Sequence, residues 1–232
     1  MVERHKYQGI INVRIRRPNT RLIDGFSKHD VCKIGDAMGA YGLMNYQIKP
    51  IAQDMKVVGP AVTVLTRPGD ALYVQRVIDI AEAGDVIVID AGGVEDISCI
   101  GERLSYYMKL RGLKGVVVDG GIRDSKGIRD MNFPVFAKSV CMKIFGSAGP
   151  GAINVPIQCG GVPVNPGDII VGDDDGVVCV PLDDADRVLK LADEHLAEEL
   201  HRLRQVEEGK SVTEVFGLEE KLRKQAGYTV SQ

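Results

Sequence analysis

An arginine and an aspartate stand side by side at Arg123 and Asp124, just after an apolar run that ends in Asp119-Gly120-Gly121. The run is rich in β-branched residues and predicts a buried strand ending at Asp119. In an open α/β sheet, ligands bind in the crevice beyond the carboxyl ends of the strands. A guanidinium can hold a carboxylate through two hydrogen bonds, and a neighbouring carboxylate can hold a hard divalent cation. The pair therefore predicts either a site for an anion and a metal or a simple cap of the next helix.

The same arrangement of strand, aspartate and paired glycines occurs a second time, earlier in the chain. The apolar run Val86–Asp90 predicts a strand, Gly92-Gly93 follows it, and residues 97–111 predict a helix. Strands that alternate with helices predict an α/β fold with a parallel sheet, in which the two glycine loops would lie side by side. Backbone amides of the first loop are then expected to bind an anion on which Arg123 closes. Neither loop carries a dinucleotide-binding or P-loop glycine motif.

Composition bounds the function class and the compartment. The chain has 232 residues, of which 44% are hydrophobic, and a net charge of -3, which gives no reason to expect a nucleic-acid partner. Its five cysteines include no pair at CxxC spacing, which argues against a zinc or redox motif and fits a reducing cytoplasm. The sequence shows no secretory segment and no apolar run of membrane-spanning length. We therefore expect a cytoplasmic protein with no membrane partner.

The order of the elements predicts a single domain over residues 1–232. Residues 1–18 form an N-terminal arm, and residues 183–232 form C-terminal helices. The first of these helices is predicted to run from Asp183 to about Glu208 and has an apolar stripe, listed in chain order as Leu189, Ala192, Leu196, Leu200 and Leu203. Such a helix could dock on a neighbouring subunit or pack on the core of its own chain.

Several short motifs, taken in order, resemble those of the RraA-like family. They are Gly59-Pro60-Ala61-Val62-Thr63-Val64, Gly84-Asp85-Val86, Asp119-Gly120-Gly121-Ile122-Arg123-Asp124, Pro134-Val135-Phe136-Ala137-Lys138, Pro166-Gly167-Asp168 and Asp173-Asp174-Asp175-Gly176-Val177. The family includes 4-hydroxy-4-methyl-2-oxoglutarate / 4-carboxy-4-hydroxy-2-oxoadipate aldolases, which are class II pyruvate aldolases, and metal-free regulators that bind ribonuclease E. The resemblance implies a β/β/α swivelling-type fold that assembles as a homotrimer or homohexamer.

The resemblance also implies roles for particular residues. In the aldolase branch Asp124 would hold Mg²⁺ or Mn²⁺, and Arg123 would contact the pyruvyl oxygen and carboxylate of a small 2-oxo acid. A Glu from a neighbouring subunit's C-terminal helix would approach the site, and Glu199 matches it by its distance from Gly209. The carboxylate would be cradled by the first glycine loop, made of Gly92, Gly93, Val94, Glu95 and Asp96. The implied activity is a lyase that cleaves a 4-hydroxy-2-oxo acid by a retro-aldol step, or decarboxylates oxaloacetate, through a pyruvate enolate.

One position departs from the aldolase pattern, which has an acid three positions after the metal-binding Asp. This chain has Gly127 there. The acids that could take its place are Glu95, Asp96, Glu102 and a neighbour's Glu199. The departure favours the alternative of a non-catalytic regulator that binds a ribonuclease or another protein. A Schiff-base mechanism at Lys138 is a further alternative, whereas a phosphotransfer domain would need a histidine in a turn, which the sequence lacks.

Overall fold

The computed structural model describes residues 4–225 and residue 229. The strands are β1 (Lys49–Pro50), β2 (Val57–Thr66), β3 (Val86–Asp90), β4 (Ser98–Ile100), β5 (Gly115–Ile122), β6 (Val135–Val140), β7 (Gly151–Ile153), β8 (Ile157–Cys159), β9 (Val162–Val164), β10 (Ile169–Asp173) and β11 (Gly176–Val180). The helices are α1 (Thr20–Phe26), α2 (Val31–Ala37), α3 (Leu72–Val77), α4 (Glu102–Leu110), α5 (Ser125–Asp130), α6 (Ala185–Glu207), α7 (Val212–Phe216) and α8 (Leu218–Arg223). Residues 1–3 of the predicted arm, and 226–228 and 230–232 of the predicted C-terminal segment, lie outside the described residues.

One mixed sheet dominates the fold and curves into a nearly closed barrel. Its strands follow the order β1-β6-β5-β3-β2-β10-β11, with β4 beside β5 and β7 beside β2, and β8 and β9 form a separate hairpin. The four strands β2, β3, β5 and β6 are parallel, as the alternation of strands and helices predicts. The two ends of the sheet approach each other. The Lys49 ammonium of β1 donates to the carbonyl of Asp175, in the turn before β11, at 2.6 Å. The α/β class is thus confirmed, while the swivelling description stays a prediction.

The strands are apolar on both faces because both faces are covered. Val62 and Val64 of β2 pack in a cluster with α3 and α4, whereas Ala61 and Leu65 of the same strand pack in the cluster inside the barrel. This alternation explains why the parallel strands read as continuous apolar runs rather than as alternating ones. The helices α1, α2 and α6 cover the strands β10 and β11 in a third cluster.

Two predictions about the glycine loops are wrong. The strand β5 does not end at Asp119 but continues through Gly120 and Gly121, and part of the predicted helix 97–111 is the strand β4, which pairs with it. A Cβ atom on Gly121 would lie 2.8 Å from the carbonyl oxygen of Ile97. The second glycine pair therefore allows another segment to approach β5 closely, and it does not make a turn.

The C-terminal helix α6 uses only half of its apolar stripe within the chain. Leu189 and Ala192 are buried, whereas Leu200 is 44% exposed and Leu203 is 53% exposed. Phe216 of α7 is exposed beside this stripe, at 40%. None of the helices that the structure describes is long and apolar enough to cross a membrane.

Candidate active site

The arginine–aspartate pair lies at the junction of β5 and α5. Asp124 is the N-cap residue of α5 and has left-handed backbone angles, φ 56° and ψ 37°, which Asp adopts more readily than most residues. The backbone amide of Arg123 donates to the carbonyl of Ile100 at 3.0 Å, and its Nε donates to Oδ1 of Asp124 at 3.1 Å. The side chains are 30% and 40% exposed. The pair is therefore fixed by local bonds and still reachable by a small solute.

Gly101, at the start of α4, packs directly against this pair. A Cβ atom there would lie 2.5 Å from Oδ2 of Asp124 and 2.9 Å from Cγ of Arg123. The backbone of Gly101 is extended, with φ -153°, a conformation open to any residue. Glycine is therefore required here for space and not for its backbone freedom, and it brings the first turn of α4 against Arg123 and Asp124.

Glu102, the first residue of α4, places its carboxylate over Gly127 of α5. A Cβ atom on Gly127 would lie 2.2 Å from both Cδ and Oε2 of Glu102. The carboxyl group of Glu102 thus occupies the space in which a side chain at position 127 would begin. Both residues border, together with Arg123 and Asp124, an open cavity of about 740 Å³. The carboxylates of Glu102 and Asp124 therefore border one cavity, together with Asp130, which pairs with Lys126.

A second cavity, of about 510 Å³, lies on the other side of the pair. It is bordered by Arg123, Asp124, Gly101 and Arg103, and by a wall formed by residues 144–147. This wall is held by Asp70, which is fully buried and accepts hydrogen bonds from the next two amides, those of Ala148 at 2.7 Å and Gly149 at 2.9 Å.

Hydrogen bonds to Asp70 lower the pKa of its carboxyl group by more than burial raises it. Burial opposes ionisation of the carboxyl, but the amides of Ala148, Leu72 and Gly149 together hold the pKa of Asp70 below its usual range. The ionised carboxylate thus ties residues 144–149 to the start of α3 and shapes the wall of the 510 Å³ cavity.

The loop 92–96 lies apart from these two cavities. Gly92, Gly93, Val94, Glu95 and Asp96 border neither of them. The amide of Gly92 already donates to Oδ1 of Asp90, and that of Gly93 donates to the carbonyl of Asp119, each at 3.0 Å. These two amides are therefore not available to an anion on which Arg123 could close. The physical reason is the continuation of β5 past Asp119, because the loop packs on the glycines of that strand instead of lying beside a second loop.

The acids proposed to replace the one missing at position 127 are also located by the structure. The Glu95 carboxylate accepts a hydrogen bond from the Gln47 side chain at 3.2 Å, and Asp96 pairs with Lys143. Glu199 on α6 lies 3.4 Å from Lys33 and borders a different cavity. Of these four acids, Glu102 is the one that borders a cavity together with Asp124 in the same chain.

Lys138 is unsuited to Schiff-base chemistry. Its Nζ lies 2.7 Å from Oδ1 of Asp119, and both side chains are largely buried. Lysines that form Schiff bases are activated by apolar surroundings or by a neighbouring cation. Lys138 has a carboxylate in that place, and it borders neither cavity next to Arg123.

The comparisons with known proteins agree with this fold. The model of the RraA-like family, described as aldolase/RraA, matches residues 31–179. The chain belongs to the RraA-like family. A protein of Halalkalibacterium halodurans, named as a proposed 4-hydroxy-4-methyl-2-oxoglutarate aldolase, is 41% identical over 173 residues, covering 75% of this chain and 82% of that protein.

Solved structures of similar fold include members of the family with a different description. RraAS2 of Streptomyces coelicolor, described as an unusual member of the RNase ES inhibitor RraA protein family, has a TM-score of 0.71 and 31% identity, covering 81% of this chain and 100% of that one. An uncharacterized protein from Pseudomonas syringae pv. tomato has a TM-score of 0.77 and 26% identity, covering 88% and 97%. The relatives of this RraA-like chain thus include proteins named as lyases and proteins named as ribonuclease inhibitors.

Proposed function

We propose that this RraA-like protein is a divalent-metal-dependent lyase that breaks a carbon–carbon bond of a 2-oxo acid. The reaction would be the retro-aldol cleavage of a 4-hydroxy-2-oxo acid, the decarboxylation of oxaloacetate, or both. The observation that carries the proposal is the accessible Arg123–Asp124 pair, which shares one cavity with the carboxylate of Glu102. The aldolase name of the 41% identical relative supports the same reaction class.

The donor set fits a hard cation such as Mg²⁺ or Mn²⁺. Asp124 and Glu102 offer carboxylate oxygens, which are the ligands that these ions prefer. No group of three or more His, Cys, Asp or Glu side chains within the described part of the chain is arranged to hold a metal. Two carboxylates on an open cavity suit Mg²⁺ nevertheless, because this ion keeps several waters and is usually held by one or two carboxylates plus its substrate. Asp124 would bind the ion, and Glu102 would bind its water shell.

The roles of the chain's own residues follow from the charges that the reaction develops. When the C3–C4 bond breaks, its electron pair moves into an enolate that extends from C3 to the oxygen on C2. The guanidinium of Arg123 would donate hydrogen bonds to that oxygen, and the Asp124 carboxylate at Nε orients it. A bound divalent cation would supply Lewis-acid polarisation of the same oxo group. The proton of the 4-hydroxyl group would leave to water in the open cavity, and protonation of C3 would complete pyruvate.

The contribution of Arg123 can be given a magnitude. A donor aimed at a developing oxyanion is typically worth about 3 kcal/mol of barrier, which corresponds to roughly a hundredfold in rate. Lys in place of Arg123 would keep the charge but lose the planar fork that binds two oxygens. We therefore expect only partial activity in Arg123→Lys and a loss of at least about a hundredfold in Arg123→Ala.

The proposed active site also includes Glu199 from a neighbouring subunit. Glu199 borders neither cavity next to Arg123 in its own chain, so a role at the site requires another copy. The exposed half of the α6 stripe, next to Glu199, supports a trimer or hexamer in which this face meets a second copy. Sedimentation of the wild type and of Leu203→Glu would test the assembly, because a charge on this stripe should favour the monomer.

A protein-binding regulator is the second candidate function. It is favoured by Gly127, which takes the place of an acid of the aldolase pattern, and by the similarity to a structure described as a ribonuclease inhibitor. Such a protein would bind its partner without turning over a 2-oxo acid. Failure of the wild type to act on oxaloacetate or a 4-hydroxy-2-oxo acid with either metal, together with binding to a purified ribonuclease, would establish this function.

Turnover by matched variants tests the lyase. Pyruvate formation from oxaloacetate and from 4-hydroxy-4-methyl-2-oxoglutarate would be measured with Mg²⁺ or Mn²⁺ for the wild type, Asp124→Asn and Asp186→Asn. Asp186 is an exposed acid in the first turn of α6 that pairs with Arg21 of α1, and its variant is the control. We expect Asp124→Asn to lose activity and Asp186→Asn to keep it. Wild-type turnover in Asp124→Asn would contradict the proposal.

A further inference from the structure

A second arginine borders the cavity next to Arg123. Arg103, in the first turn of α4, is exposed, and no carboxylate within the described part of the chain forms an ion pair with it. Arg123, by contrast, is engaged by Asp124. An unpaired guanidinium on the wall of a cavity is a ready partner for an anionic group of a ligand.

The backbone places Arg103 close to the proposed reaction centre. It stands two residues after Gly101, and a Cβ atom on Gly101 would lie only 2.5 Å from Oδ2 of Asp124. Two residues span at most about 7 Å of chain, so the backbone of Arg103 starts within that distance of Gly101. The long side chain of Arg103 then borders the same 510 Å³ cavity as Arg123.

The rest of this cavity supplies further polar groups. The Ser147 hydroxyl donates to Oε1 of Gln75 at 3.1 Å, so the Gln75 amide is held with its NH₂ group as the remaining donor. Both residues line the cavity with Arg103. A volume of about 510 Å³ lies within the range of small-molecule sites and exceeds what pyruvate alone needs. The cavity therefore has room, and donors, for the half of a substrate that does not become pyruvate enolate.

We propose that Arg103, assisted by Gln75, binds a second carboxylate, carried by the half of the substrate that leaves as a carbonyl compound. Arg103 is then a specificity-determining residue, which distinguishes a substrate with a charged leaving half from one with an apolar leaving half. This inference rests on the lyase activity proposed above and adds the recognition of the leaving half. A substrate with an apolar leaving half would bind without using Arg103.

A pair of substrates that differ in one group tests the inference. 4-Hydroxy-4-methyl-2-oxoglutarate carries the second carboxylate, and 4-hydroxy-4-methyl-2-oxopentanoate has a methyl group in its place. The ratio of kcat/KM for the two would be measured in the wild type, Arg103→Gln, Arg103→Lys and Arg111→Gln. Arg111 lies at the other end of α4, borders only the neighbouring cavity and serves as the control.

We expect Arg103→Gln to lower kcat/KM for the diacid by roughly 10- to 100-fold, the range for hydrogen bonds to a charged group, mainly through KM. The value for the monoacid should stay unchanged. Arg103→Lys should lie between the wild type and Arg103→Gln, and Arg111→Gln should behave as the wild type. An equal loss for both substrates, or an unchanged ratio, would overturn the inference.

Exchange of pyruvate methyl protons in D₂O separates this inference from the proposed function. Pyruvate has one carboxylate, so exchange should be the same in Arg103→Gln and in the wild type. If the wild type exchanges protons but the substrate ratio does not depend on Arg103, only the inference fails. If the wild type shows neither exchange nor turnover, the proposed lyase fails and the inference fails with it.

Discussion

Replacing Gly127 by alanine should weaken metal binding although the substitution removes no acidic residue. The new Cβ atom would lie 2.2 Å from Cδ of Glu102, whereas ordinary van der Waals contact begins at 3.4 Å. The Glu102 carboxylate must therefore move by about 1 Å or more. Because Glu102 is exposed and flexible, it can do so without disturbing the fold. Alanine should also raise the intrinsic stability of α5, since glycine inside a helix is destabilising by roughly 1 kcal/mol relative to alanine.

The size of the effect follows from the role proposed for Glu102. Outer-shell groups around a bound metal typically contribute 10- to 100-fold to its affinity, which corresponds to about 1.4 to 2.7 kcal/mol. Gly127→Ala should raise the Kd for Mn²⁺ within this range, and Glu102→Ala should do the same. The double variant should bind no more weakly than either single variant, because both changes remove the same carboxylate from the cavity.

Titration of Mn²⁺, with free ion measured by electron paramagnetic resonance, would give these affinities without reference to turnover. Arg129→Ala, an exposed substitution in the same helix, is the matched control. Urea unfolding of each variant would show that α5 is intact. An unchanged Kd in Gly127→Ala, or losses that add in the double variant, would refute the placement of Glu102 in the metal's water shell.

Three further predictions concern the surroundings of the site. Gly101→Ala should lower kcat by about tenfold or more in the oxaloacetate assay, because its Cβ would collide with the carboxylate of Asp124 at 2.5 Å and small displacements of reacting groups are costly; an unchanged kcat would contradict the close packing. Asp70→Asn should destabilise the protein at pH 7 in urea unfolding. Because folding lowers the pKa of Asp70, its ionised carboxylate stabilises the fold at pH values above the ordinary pKa of 3.8, and this contribution is lost as the pH falls below 3.8 toward the lowered pKa. The difference in unfolding free energy between wild type and variant should therefore narrow in acid. A difference independent of pH would count against this role of Asp70. Borohydride added with pyruvate should leave the mass of the protein unchanged, and a pyruvate adduct on Lys138 would revive the Schiff-base mechanism.

The sequence predicted the parts of the fold that depend on local pattern. The strand Val86–Asp90 and its parallel neighbours could be predicted because both faces of these strands are covered, which leaves continuous apolar runs. The arginine–aspartate pair could be singled out because two opposite charges directly follow such a run. The family could also be predicted, since the order of several weak motifs is more specific than any one of them.

The sequence could not reveal contacts between distant segments. Glycine permits both a tight turn and a close approach, and only the carbonyl of Ile97 beside Gly121 shows that the second glycine pair serves the latter. The prediction of an anion cradle at the loop 92–96 assumed that the second glycine pair makes a turn, whereas it lies within β5. Likewise, Glu102 was only one of several acids in the sequence, and its contact with Gly127 becomes visible when α4 and α5 are placed side by side.

Exchange of pyruvate methyl protons with D₂O, followed by NMR with and without Mn²⁺, tests the proposed enolate site most directly, because every reaction considered for it forms that enolate. We predict exchange by the wild type that requires the metal, is lost in Asp124→Asn and falls at least about a hundredfold in Arg123→Ala. Exchange that persists in Asp124→Asn, or a wild type that exchanges no protons with Mn²⁺ or Mg²⁺, would contradict the assignment of Arg123 and Asp124 as the reaction centre.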